Sequence, residues 1–123
     1  MVDSANQSPL TVTSTEQDNC VILTVSGRVD HTNATAFLSE LEGATEGFSG
    51  KSGMVIDLAG LEFITSAGLR GLIIAQKRLS GAGGKLAISG LRGTVADVFR
   101  ISRFDTLFPV ADTADAASAL VSD

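Results

Sequence analysis

The sequence holds one cysteine, one histidine and two prolines in 123 residues, and it has no tryptophan or tyrosine. Cys20 alone excludes an intramolecular disulfide and a cysteine-built zinc cage. With His31 as the single imidazole, a dedicated transition-metal site is also hard to build, so no metal or other cofactor is expected. A lone thiol suits a reducing compartment, and the cytoplasm is the expected location. Long apolar runs are missing as well. No stretch approaches the ~20 residues needed to span a bilayer, and MVDSANQSPL has neither the basic start nor the apolar centre of a secretory signal. Direct membrane insertion is not expected. Positive charge is scarce: nine Lys and Arg face fourteen Asp and Glu, for a net charge of −5. Such a chain repels phosphate backbones, which argues against a nucleic-acid partner.

What is present points to a folded domain. Hydrophobic residues make up 44% of the chain and charged residues 19%, far from the polar, highly charged composition that stays disordered. The length is that of one domain. Residues 1–9 read as a flexible polar tail ending at Pro9, and 10–123 as a single domain.

Periodicity predicts the elements. Leu10 to Thr15 alternates and Cys20 to Val25 is a β-branched run ended by Gly27, with a polar turn from Glu16 to Asn19 between them, so the chain opens with a hairpin. Ala34, Phe37, Leu38 and Leu41 recur at helical spacing behind Asp30 or Thr32 as a cap. Met54 to Leu58 is a near-continuous apolar run, predicting a strand buried on both faces, and Ala59 to Thr65 reads as a loop. A second amphipathic helix runs from Ser66 to Leu79 and ends at the glycines 81, 83 and 84. Lys85 to Ser89 is a strand, Thr94 to Ile101 a helix capped by Thr94, Leu107 to Val110 a last strand, and the alanine-rich end a helix capped by Asp112 or Thr113. The order β-β-α-β-α-β-α-β-α predicts an α/β fold, a mostly parallel sheet with one antiparallel amino-terminal edge strand and helices packed on it.

Glycines beside lysine invite a nucleotide-binding reading, and each instance fails. Gly47 to Ser52 ends in GKS, but Thr45 stands where a phosphate loop needs glycine and a strand follows where a helix is needed. Gly81 to Lys85 lacks the next hydroxyl residue and also leads into a strand, and Gly90 to Gly93 is a bare turn. His31 is the single candidate base and has no nucleophile elbow, while Glu40 with Glu42 and Asp3 with Glu46 have no spacing that sets two acids across a cleft. No catalytic residues are assigned, and the chain is not expected to be an enzyme.

One segment remains: MVIDLAGLEFITSAGLRGLIIA, from Met54 to Ala75. Ser66 begins the helix, so its hydroxyl reads at least as an N-cap contributing about 1 kcal/mol. Gly68, in the first turn, costs about 1 kcal/mol relative to alanine, which suggests that something approaches the backbone there. A phosphate on Ser66 would meet free amides and the positive end of the helix dipole, while adding roughly −1.5 to −2 charge to the surface. Arg70, Ile74, Lys77 and Arg78 share one face as a basic stripe, and Arg70 and Ile74 are the candidate contacts beside the serine.

The strand VIDL followed by GLEFITSAGL resembles the core motif of STAS domains, above all those of bacterial anti-sigma factor antagonists. Gly27, Arg28, Val29 and Asp30 are similar to the family's G-x-hydrophobic-D before the first helix, and LAISGLRGTVADVFRISRFDTLFPVADTADAASAL to its closing half. The resemblance covers most of the chain. It implies a phosphorylation-gated protein-binding switch in sigma factor regulation, and hence in transcription. The unphosphorylated form binds a serine kinase that is also the anti-sigma factor, phosphorylation releases it, and a serine phosphatase reverses the mark. Carried onto this sequence, the acceptor is Ser66. Thr65, which stands where many relatives have aspartate, is the secondary candidate. The implied partner-binding set is Asp30, Thr65, Ser66, Gly68, Arg70 and Ile74. Some STAS domains instead serve as subunits docking on a lipid or anion transporter ATPase, and this is the alternative.

Overall fold

A computed structural model of the chain describes residues 10–17, 19–46 and 53–121. The expected tail over residues 1–9 and the GKS turn at 47–52 lie outside the described residues.

Strand β1 (Thr11–Gln17) runs antiparallel to β2 (Cys20–Val29). Helix α1 (Ala34–Glu46) leads to β3 (Gly53–Ile64), α2 (Ser66–Gly81) to β4 (Lys85–Ser89), and α3 (Gly93–Ile101) with a 3₁₀ turn at Phe104–Thr106 to β5 (Val110–Ala111). Helix α4 (Ala114–Val121) closes the order. The strands lie in the spatial order β1-β2-β3-β4-β5, with β2 to β5 mutually parallel. The expected fold class and element order are those observed.

Because each parallel strand is the neighbour of the one before it, right-handed crossovers place α1, α2 and α3 on one face of the sheet. The side-chain alternation agrees. Val21, Leu23 and Val25 of β2, with Met54, Ile56 and Leu58 of β3, join Phe37 and Leu41 of α1, Leu69, Leu72 and Leu79 of α2, and Phe99 of α3 in the main core. The residues between them, Cys20, Ile22 and Val55, turn to the other face and meet Ala117 and Val121 of α4. Burial on both faces explains the near-continuous apolar run in β3, which Asp57 alone interrupts between Met54 and Leu58.

Five local expectations are corrected. Gly27 does not end β2, and Ala59 to Thr65 is not a loop: both strands continue, and Val29 pairs with Ile64 after register shifts that straddle Gly27. Gly60 is required there because a Cβ would stand 2.9 Å from that of Ser26, so glycine marks a close approach between strands and not a break. The entry to α1 is organised by Asn33. Its Oδ1 accepts from the Asp30 amide and its Nδ2 donates to the Arg28 carbonyl, both at 2.9 Å, while the Asp30 carboxylate accepts from the amide and hydroxyl of Thr32 within the preceding turn. Helix α3 begins at Gly93, with Arg92 in the capping position and no side-chain cap, so Thr94 lies inside the helix. The last strand is two residues long, Val110–Ala111, where Leu107 to Val110 was expected. At α4 the cap is Thr113, whose hydroxyl accepts from the Ala116 amide at 3.1 Å.

Candidate functional site

The parallel strands β2 and β3 end side by side, and this edge sets the position of the helix that follows. The Thr65 amide donates to the Val29 carbonyl at 3.0 Å, tying the start of α2 to the strand that leads into the turn of Asp30. Thr65 has extended backbone (φ −91°, ψ 171°), and its hydroxyl accepts from the Gly68 amide at 3.3 Å while its carbonyl accepts from Leu69 at 3.0 Å. Thr65 is therefore the N-cap of α2. Ser66, assigned to that role from sequence, is the first residue inside the helix, and its hydroxyl is not used for capping.

This shift of one position changes what Ser66 is available for. It is exposed, and so is Ala67 after it. The amides of these two residues have no acceptor among the described residues, since the cap engages only Gly68 and Leu69. A free hydroxyl thus stands beside two free N–H groups at the positive end of a 16-residue helix.

Gly68 has an internal explanation. It is buried, and a Cβ there would stand 2.7 Å from Val29 Cγ1 and 2.8 Å from Ile64 Cγ1. The glycine seats the helix on the ends of β2 and β3, so the sequence-based inference of an approaching partner is not needed. At Gly71, one turn later, an added Cβ would make only ordinary contacts, 3.7–3.8 Å from Leu41, Leu38 and Phe37, where α1 crosses.

The expected basic stripe divides. Arg70 and Ile74, with Ala67 and Gly71, form one wall of a groove of about 170 Å³ whose other wall is Ala34, Thr35 and Leu38 of α1. Arg78 is drawn away into an ion pair with Glu42 of α1 at 3.2 Å, and Lys77 borders a separate depression with Gln76, Ser80 and Pro109. The α1 wall was not foreseen. Its signal in the sequence was Gly71, a small residue on the buried side of a helix, which marks where a second helix comes close. On the loop side Asp30 is partly exposed, and hydrogen bonds from the Thr32 hydroxyl and then the Thr32 amide hold its carboxyl below the ordinary carboxylate range. His31 beside it is exposed.

Nothing in the described residues groups three or more metal-binding side chains, and no described helix is long and apolar enough to cross a membrane. The Arg28 guanidinium lies 4.8 Å from the centroid of the Phe63 ring, so this cation near the end of β2 stacks on its cross-strand neighbour.

Comparison with known proteins agrees with this architecture. The STAS domain model matches residues 11–117. A protein of Bordetella bronchiseptica, named "Putative anti-sigma factor antagonist BtrV", is 36% identical over 102 residues, covering 83% of this chain and 86% of its own. The crystal structure of an anti-sigma factor antagonist from Mycobacterium paratuberculosis superposes with a TM-score of 0.82 at 26% identity, over 94% of this chain and 96% of that one. The phosphorylated form of the Bacillus cell fate determinant SpoIIAA shares the fold, with a TM-score of 0.64 at 16% identity over 91% of this chain and 99% of that one. By its family match and its identity to these relatives, the chain belongs to the STAS domain family, beside proteins named as anti-sigma factor antagonists.

Proposed function

We propose that this protein is an anti-sigma factor antagonist that works as a phosphorylation-gated binding switch, without chemistry of its own. In its unmodified form it holds an anti-sigma factor that is also a serine kinase. The kinase transfers a phosphoryl group to the Ser66 hydroxyl, the complex dissociates, and a serine phosphatase restores the hydroxyl. The expected setting is the bacterial cytoplasm.

The observation that carries this reading is the division of labour at the start of α2. Thr65 caps the helix, which leaves the Ser66 hydroxyl exposed and free to react. Because the cap is a separate residue, Ser66 can be modified without dismantling the helix start. A phosphate there would find the Ser66 and Ala67 amides and the helix dipole, so the domain would keep its fold. The change would fall on the partner: roughly −1.5 to −2 charge added beside Arg70 and Ile74 neutralises or repels whatever pairs with them. Thr65 remains the secondary acceptor, disfavoured because its hydroxyl is occupied by Gly68 and it is only partly exposed. Gly68 is buried and serves the docking face only by seating the helix.

The test is affinity capture from lysate of the source cells with wild-type, Ser66→Ala and Ser66→Asp baits, followed by mass spectrometry. A serine kinase held by wild type and the alanine variant but lost by the aspartate variant is the expected result. Equal capture by all three baits, or capture of a transporter ATPase, would overturn the switch at Ser66.

A further inference from the structure

The groove between α1 and α2 has a definite size and a definite charge, and together these describe what fits it. It is lined by the apolar Ala34, Leu38, Ala67, Gly71 and Ile74 with Thr35 and Arg70, and Thr35, Ala67 and Arg70 are its exposed members. Its volume of about 170 Å³ is close to that of a cavity of ~150 Å³ able to hold one benzene ring. It therefore has room for one large side chain. The two helices pack together at Gly71, and the Arg78–Glu42 pair joins them farther along.

Charge narrows the choice further. The chain carries a net −5, yet the mouth of this groove has a cation and no acidic lining residue. Arg70 is exposed and has no ion-pair partner among the described residues. An exposed guanidinium beside a small apolar slot recognises a carboxylate next to a bulky apolar group.

We infer that the groove is the specificity pocket of the docking face, and that it receives one leucine, isoleucine or phenylalanine of the partner while an adjacent aspartate or glutamate pairs with Arg70. This inference rests on the proposed docking face at Ser66 and adds the chemistry of the partner segment. A phosphate on Ser66, one residue before Ala67, would then compete with that carboxylate for Arg70.

The test is selection of a phage-displayed library of random 12-residue peptides on the purified wild-type domain. Peptides enriched for one large apolar residue flanked by Asp or Glu are expected. The best of them, made synthetically, should bind with an affinity that falls as salt rises, and at least about tenfold more weakly to Arg70→Glu. Ala67→Phe, which fills the mouth from an exposed position, should abolish binding while the unfolding temperature stays near that of wild type. Enrichment of basic peptides, enrichment without an apolar anchor, or no enrichment would overturn the inference. So would self-association of the chain alone that Ala67→Phe abolishes, because the occupant would then be a second copy. Ser66→Asp separates the two readings: unchanged peptide affinity there would sink the phosphorylation gate and leave the pocket standing.

Discussion

Replacing Gly68 by alanine sets two opposed effects against each other at one position. Alanine is the better helix former and would gain up to about 1 kcal/mol, less near a helix start than at its centre. Against this, the new methyl carbon would stand 2.7 Å from Val29 Cγ1, 2.8 Å from Ile64 Cγ1 and 3.2 Å from Ile64 Cδ1. The two shortest contacts involve γ-carbons of β-branched side chains, which are stiff at χ1, and both residues are buried in the main core. They cannot swing aside as the end of a lysine would. Overpacking of this kind costs about 1–3 kcal/mol, so the net loss should be roughly 1–2 kcal/mol. For a domain of this size that is a drop of about 3–10 °C in the unfolding temperature, read by calorimetry or circular dichroism. Gly43→Ala is the internal control. It lies inside α1, exposed and with nothing within 4 Å of the place its new methyl would take, so the same substitution should stabilise by about 0.5–1 kcal/mol. If Gly68→Ala proved as stable as wild type, or if the two variants shifted stability in the same direction, the packing argument at the start of α2 would be refuted.

Other consequences of the structure can be checked alongside. Thr65→Ala removes the cap bond to Gly68 and should cost about 1 kcal/mol, whereas Ser66→Ala should leave stability within about 0.5 kcal/mol of wild type; equal losses in urea titrations would return the cap to Ser66. Ser89 is fully buried and its hydroxyl has no hydrogen-bond partner among the described residues, so Ser89→Ala should leave stability unchanged or raise it by up to about 1 kcal/mol, and a loss would mean the hydroxyl is satisfied in solution. The Asp30 carboxyl, held low first by the Thr32 hydroxyl and then by the Thr32 amide, contributes stability above its unfolded pKa that is lost as pH falls through its lower folded pKa. Carboxyl chemical shifts should show Asp30 titrating below ordinary aspartates, and Thr32→Ala should raise that pKa; no upward shift would remove the hydroxyl as the cause.

Much of this protein is readable along the chain. The alternation of Val21, Leu23 and Val25, the helical spacing of Ala34, Phe37, Leu38 and Leu41, and the run from Met54 to Leu58, apolar but for Asp57, are local signals, since burial of one face or of two imposes them residue by residue. From these came the α/β class and the element order, and the motif around Ser66 pointed to the family. What resisted reading was every feature in which glycine or a hydroxyl answers to a neighbour distant in sequence. Gly27 resembled a strand end and Gly60 fell within the segment read as a loop, but a bulge and the approach of Ser26 hold them inside β2 and β3. Gly68 suggested an external partner, when Val29 and Ile64 fill the space beneath it.

The decisive residue was Thr65. Sequence assigned the cap to Ser66; the bond from the Thr65 amide to the Val29 carbonyl, between residues 36 positions apart by number, instead places Thr65 as the cap and leaves Ser66 facing solvent. The groove beside them belongs to tertiary structure altogether, because its two walls come from helices that sequence describes separately and packing brings together. Patterning along the chain determined the elements and the family, since each depends on local periodicity and one short motif. The orientation of Ser66 and the pocket next to it depended on contacts between strands and helices far apart in sequence, which local periodicity does not encode.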